Sequence, residues 1–311
     1  MSARRSTSLR IVSGRDGFII VAVLWILAAL ATLATIFSVY VINTAIAFTV
    51  HDERLQAEAL AAAAIELSVY QVASNAKEPP TRGTFVFRVG NATVSAEFSA
   101  ETARIDLNTA PPELLAGLFM SLGAAPGPAQ SYAARIVGWR SQPSPNIADN
   151  EASNYRTAGL LYGPRGGPFP HTGELGLVLG IPELMVQRAL PFLTAYSGIP
   201  QINIFNADPQ VLAALPGMDP SRLHAVLVQR AVPQQNAQDL LAMLGPAQAS
   251  ATTQGSKSMR VTARMAFDSG QRMTTEAVIF VLDNGTEPYR VLTWHDDIDD
   301  ALGAPRAGAA R

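Results

Sequence analysis

The sequence predicts an α+β fold: a long N-terminal helix, an antiparallel sheet, and a large helical domain inserted between the strands of that sheet. Three observations carry this. Residues 18–78 contain neither glycine nor proline, the residues that most often break helices. Alternating β-forming runs lie both before residue 107 and after residue 251, and between them short helical segments are punctuated by glycine and proline.

Residues 1–17 form a polar leader with Arg4, Arg5, Arg10 and Arg15 against the single acid Asp16. From Gly17 to Val50 there is no Asp, Glu, Lys, Arg or His. A helix needs roughly 20 apolar residues to cross a hydrocarbon core, so 18–50 is predicted to span a membrane. The basic leader places the N-terminus inside. A cleaved secretory signal, with an apolar core of about 7–15 residues, is too short to match; a plain signal anchor satisfies the length equally well.

The helical pattern continues through LQAEALAAAAIELSVYQV at 55–72, where alanine is the strongest helix former. Leu55, Ala59, Ala62, Ile65, Glu66 and Val69 recur at three- and four-residue steps and are predicted to form its packing stripe. Glu78-Pro79-Pro80 ends the helix. Strands are predicted at 84–89 and 92–98, joined at Gly90-Asn91, so that 79–107 forms one part of the sheet.

At Ile105 begins IDLNTAPPELL, a strand end running into a helix with Thr109 as the expected N-cap and proline in the first turn. A second copy, INIFNADPQVL, begins at Ile202, aligning Ala110 with Ala207 and Pro112 with Pro209. Asn108, Thr109 and Asn206 complete the repeated motif, and two copies indicate a duplicated module rather than a solenoid. Residues 108–250 are therefore assigned to an inserted helical domain with helix-hairpin-helix-like units. Helices are expected at 129–140, 182–195, 221–230 and 237–244, and 142–170 is expected to be one long surface loop. Strands at 258–267, 272–281 and 289–293 return within a second sheet segment, 251–295, and 296–311 is expected to be a disordered tail.

Composition bounds the function. With no cysteine, disulfides and thiolate chemistry are excluded. Histidines 51, 171, 224 and 295 are scattered, and no nucleophile, phosphate-loop or zinc motif appears. No catalysis is expected. The hairpins at Leu179-Gly180-Ile181-Pro182 and Leu215-Pro216-Gly217-Met218 keep open an alternative, a membrane-anchored helix-hairpin-helix DNA receptor of the competence type. Against it, residues 101–250 carry eight Arg and no Lys beside ten acids, too little cation for a phosphate backbone.

The basic leader ending in Gly17, the helix starting at Phe18, LNTAPPELLAGL, the Trp139-Arg140 pair, GELGLVLGIPELMVQRALPFLTAYSG and INIFNADPQVLAAL, in that order, resemble the K-type minor pseudopilin of type II secretion (GspK) over most of the chain. The resemblance implies a type IV pilin-like fold and cleavage by prepilin peptidase between Gly17 and Phe18, with N-methylation of Phe18. It implies an inner-membrane location with the main domain in the periplasm. The implied role is at the tip of the pseudopilus, priming assembly and aiding export, with I-type and J-type minor pseudopilins, the peptidase and the inner-membrane secretion platform as partners and no nucleic acid. Ala22 stands where most of the superfamily has glutamate, a departure shared by the K branch. Some members bind calcium in the helical domain; the corresponding candidates here are Asp149, Asn150, Glu151 and Asn154. No other cofactor is expected.

Overall fold

The computed structural model describes residues 15–74, 79–142, 150–232, 236–282 and 287–299. The chain forms two compact units, residues 1–58 and 59–311. Helix α1, Arg15–Ser74, contributes residues to both. In the first unit, Phe18–Val41 is the stretch long and apolar enough to cross a membrane, and none of it is buried. Phe18 and Trp25 are each 75% exposed. Leader residues 1–14, the predicted helix end at 75–78 and residues 300–311 lie outside the described residues.

In the second unit, α1 buries Leu60, Ala61, Ala64, Ile65, Ser68 and Val69. This corrects the predicted stripe, in which Leu55, Ala59, Ala62 and Glu66 are exposed and only Ile65 and Val69 are core. In an alanine-rich helix the faces differ little in hydropathy. Packing is decided by which one groups the larger Leu60, Ile65 and Val69 while turning Glu58 and Glu66 to solvent.

Strands β1 (Arg82–Val89) and β2 (Ala92–Ala100) form the predicted hairpin, with Phe87 opposite Val94. Gly83 is required at its start, because a Cβ there would lie 2.4 Å from the Phe98 ring. The chain then leaves through a buried 3₁₀ turn, Glu101–Ala103, and strand β3, Ile105–Asp106. The helical insertion comprises α2 (Pro112–Ser121), α3 (Pro126–Arg140), α4 (Asn150–Thr157), α5 (Glu183–Ala189), β4 (Leu193–Thr194), β5 (Ile202–Asn203), α6 (Pro209–Ala213), α7 (Pro220–Arg230), α8 (Ala237–Ala242) and β6 (Ala251–Thr252). Its core joins Leu114, Leu115, Leu118, Ile136, Trp139, Val211, Leu212 and Val226.

The chain returns as β7 (Ser258–Phe267), β8 (Arg272–Val281) and β9 (Tyr289–Asp299). The five-stranded sheet has the order β1-β2-β7-β8-β9 with every pairing antiparallel. The insertion therefore lies between neighbouring strands: Ala100 of β2 pairs with Met259 of β7. Ile65 and Val69 of α1 pack on Phe98, Met259, Val261, Ala277 and Ile279.

Four further expectations are corrected. The predicted loop 142–170 contains α4, whose Tyr155 is fully buried against Trp139. The helix begun at Pro182 stops at Ala189, because Pro191 follows and Leu193 pairs in parallel with Ile105. Strands β3 and β6 belong to the insertion, pairing with β4 and β5 rather than joining the main sheet. Residues 296–299 extend β9: Asp296 opposes Thr275 and accepts hydrogen bonds from the Thr275 hydroxyl and the Trp294 indole.

Candidate functional site

The repeated motif folds into one unit used twice. Asp106 Oδ1 accepts the Asn108 N–H at 2.7 Å, and Asn203 Oδ1 accepts the Phe205 N–H at 2.9 Å. Such Asx turns bend the chain from strand to helix. The Ala110 and Ala207 N–H groups then donate to the carbonyls of Asp106 and Asn203 at 2.9 and 3.0 Å. Pro112 and Pro209 open α2 and α6, where the missing N–H costs no hydrogen bond.

An arginine at the end of the second helix closes each unit. Arg140 donates to the carbonyls of Leu107 and Ala110, the latter at 2.7 Å. Arg230 donates to the carbonyls of Ile204 and Ala207 at 3.2 and 2.6 Å. Each unit also ends on a parallel two-residue pairing, with Leu107 N–H donating to Thr194 O and Ile204 N–H to Thr252 O. Sequence pattern reveals the repeat but gives these arginines no role; the signal that could have found them is that both second helices end in arginine. Arg140→Ala and Arg230→Ala are each expected to cost about 1.5–3 kcal/mol, the worth of charge-assisted hydrogen bonds. Urea unfolding of the full chain measures this, and a pair of neutral results would contradict the clamp.

The two units meet at equivalent positions. A Cβ on Gly117 of α2 would lie 2.0 Å from the carbonyl oxygen of Ala214, its counterpart after α6. Contact between counterparts is the mark of a two-fold-like, isologous packing.

The other motif residues tie the units to their surroundings. Asn108 donates to Phe169 O and Ala195 O and accepts the Phe169 N–H. Asn206 donates to Thr81 O, just before β1. Thr109 does not cap α2. The helix begins after Pro111, and the Thr109 hydroxyl is buried with no hydrogen-bond partner among the described residues.

Where the insertion leaves the sheet, Glu101 is fully buried. Its carboxylate takes Arg260 Nε at 2.8 Å and Nη2 at 3.1 Å, with Arg104 Nη1 at 3.6 Å and the Thr194 hydroxyl also against it. Arg260 reaches on to Glu276. Sheet strand β7 and insertion strand β4 are thus joined through one acid. Beside this junction a cleft of about 780 Å³ is lined by Arg104, Tyr196, Arg264, Glu276, His171 and His295. Its arginines are paired with Glu101, Glu276 and Glu97.

Gly17 and Phe18 lie in the first turn of α1, and Ala22 is partly exposed one turn later. Of the calcium candidates, Asp149 lies outside the described residues and Asn150 opens α4. Glu151 is taken by Arg135 at 3.1 Å, and Asn154 donates to Glu151. Calcium takes six to eight oxygens, and these two residues, already committed to Arg135 and to each other, do not fit the ion. Among the described residues no group of three or more His, Cys, Asp or Glu is placed to hold a metal.

Both expected turns form, with Gly180 and Gly217 at φ of +84° and +77°, as left-handed turns require, but only 215–218 joins two helices, since 179–182 joins a 3₁₀ turn to α5. Their domain, however, spends six of its eight arginines internally. Arg135 and Arg165 bind acids, and Arg104, Arg140, Arg222 and Arg230 donate to backbone carbonyls. A DNA receptor is not favoured.

Residues 94–198 match the family model for the type II secretion system (T2SS), protein K. No curated protein matches the chain. The fold resembles a chain in the crystal structure of the GspK-GspI-GspJ complex from the enterotoxigenic Escherichia coli type 2 secretion system. The TM-score is 0.59 at 16% identity, covering 80% of this chain and 98% of that one. The match to the protein K model covers about a third of the chain, and the likeness to the solved structure is one of fold.

Proposed function

We propose that the chain works as the K-type tip subunit of a type II secretion pseudopilus, where it primes assembly with I-type and J-type minor pseudopilins and aids export across the outer membrane. The observation that carries this is the protein K match over 94–198 lying where the helical insertion interrupts a pilin-type sheet. In this reading Phe18–Val41 anchors the chain in the inner membrane, its basic leader in the cytoplasm and its main domain in the periplasm.

Prepilin peptidase cuts between Gly17 and Phe18 and methylates Phe18, and the inner-membrane platform takes up the mature subunit. Function is then assembly: apolar helices bury against neighbouring subunits' helices. Ala22 has no carboxylate to pair with the N-terminus of a subunit ahead. A terminal subunit has none ahead, so alanine suffices there. The inserted domain adds bulk that a subunit stacked above would have to clear, which also supports a terminal place.

Co-expression of the full chain with I-type and J-type pseudopilins tests this. The expected result is a ternary complex that purifies as one species; separate elution of all three would overturn the reading.

A further inference from the structure

The two edges of the five-stranded sheet are built differently. At one edge, β9 carries a bulge: Val291 pairs with Ile279 and Thr293 with Val278, leaving Leu292 between them. Asp296, Asp297 and Asp299 lie along the end of the same strand. Bulges and charges are the usual means by which a free edge is kept from pairing with another strand.

At the other edge, β1 pairs with β2 in one unbroken register and contains no proline and no acid. Its charges are two arginines, and Arg88 is held by both carboxylate oxygens of Asp268 at 3.0 and 2.7 Å. The register also tells which backbone groups are free. The Ala100 N–H donates to the Thr81 carbonyl at 2.7 Å. In an antiparallel pair such bonds recur at every second residue, so Arg82, Thr84, Val86 and Arg88 turn their N–H and C=O groups away from β2. All four residues are exposed, Val86 to 68%, and among the described residues no backbone group pairs with theirs. On the α1 side of the strand, Phe85 and Phe87 stack 6.1 Å apart, each half-exposed.

The occupant follows from what this edge offers. Alternating N–H and C=O groups along about 20 Å of strand are satisfied by another extended strand and not by a helix. Residues 300–311 continue from β9, at the opposite edge. A second copy laid antiparallel over the whole of β1 would set Arg82 opposite Arg88, and like charges directly opposite each other disfavour a pair. Arg82 has no acid within ion-pair distance among the described residues. Its charge reaches Arg230, whose guanidinium is pushed below its ordinary value by burial and then by Arg82, with Asp208 acting the other way. An acid is what this end of the edge lacks.

We propose that the free edge of β1 receives a β-strand of a neighbouring pseudopilin, hydrogen-bonded to Arg82, Thr84, Val86 and Arg88, with an acid opposite Arg82 and apolar side chains over Val86, Phe85 and Phe87. Backbone pairing supplies the affinity, and the side chains at alternate positions select the partner. This inference rests on the pseudopilin reading and names the surface through which the subunit meets its neighbour.

Val86→Pro tests the edge selectively. The Val86 N–H points away from β2, so proline there removes a donor to the incoming strand and no hydrogen bond of the sheet itself. Val86→Thr keeps that donor and is the control. Each full-length chain, in detergent, is titrated with the I-type and J-type pair. The affinity of Val86→Pro is expected to fall at least about tenfold, with Val86→Thr close to the unaltered chain and urea unfolding of both preserved. Arg82→Glu leaves the backbone alone and is expected to weaken binding about threefold or more, since like charge replaces attraction; it decides the matter if Val86→Pro does not fold. Unchanged affinity of both Val86→Pro and Arg82→Glu, for a pair that the unaltered chain binds, overturns the edge while sparing the pseudopilin reading. A homodimer of the unaltered chain that Val86→Pro abolishes, with binding of the pair unchanged, assigns the edge to a second copy and overturns the proposal. Failure of the unaltered chain to bind the pair overturns both.

Discussion

Replacing Glu101 by alanine will cost the folded domain about 3–5 kcal/mol, the penalty for removing one partner of a buried ion pair. Glu101 has no solvent exposure, and the Arg260 and Arg104 side chains that face it are 16% and 24% exposed. Without the carboxylate, two guanidinium groups face each other in a water-poor junction and the Thr194 hydroxyl loses its acceptor. The exposed pair Arg88–Asp268, with both side chains more than half in solvent, sets the contrast; its loss should cost no more than about 1 kcal/mol. Against a total of about 5–15 kcal/mol for a domain, the Glu101 loss is severe, and its site ties strand β7 to strand β4. Urea unfolding of Glu101→Ala and Asp268→Ala measures the difference. A Glu101→Ala loss under about 1 kcal/mol would show that the junction does not depend on this acid.

The second large effect is expected at Gly117. A methyl group there would sit 2.0 Å from the Ala214 oxygen and 2.8 Å from its carbonyl carbon. These are backbone atoms of a helix end, so relief requires the two repeat units to move apart rather than a side chain to turn. Gly117→Ala is expected to cost about 3 kcal/mol, the upper range for overpacking. Gly127→Ala, in α3 with nothing within 4 Å, is expected to be neutral or to stabilise by up to about 1 kcal/mol. Thermal unfolding of both variants separates steric contact from helix propensity. Equal behaviour would contradict the close packing of α2 on Ala214.

The elements easiest to read in the sequence are those set by local pattern. The apolar run from Phe18 has no competing interpretation as a structure, and the strands announce themselves by alternation and by turns such as Gly90-Asn91. The repeat is legible because proline and Asx residues punctuate both copies at the same spacing. What sequence pattern misses depends on distant partners. The packing face of α1 is selected by the sheet, and alanine gives no periodic signal to reveal it. The strand character of Leu193 and Thr194 comes from pairing with Ile105 and Asp106, nearly ninety positions earlier. Helix α4, with the polar sequence NEASNYRT, has little intrinsic pattern and is held by Tyr155 against Trp139 and by Glu151 on Arg135. Thr109 looks like a cap because its type is right, but the Asp106 turn delays the helix to Pro112. At the junction, Glu101 and Arg260 stand 159 positions apart, and no local rule joins them.

Helix α1 is proposed to be that of a processed pseudopilin rather than of a simple anchor. Intact-mass and N-terminal analysis of the full chain from membranes, with and without a prepilin peptidase, tests it most directly. The predicted product is a mature chain beginning at N-methylated Phe18, formed only when the peptidase is present. A chain that keeps its leader in the presence of an active peptidase would contradict the account and leave a signal-anchored protein with a pilin-type sheet.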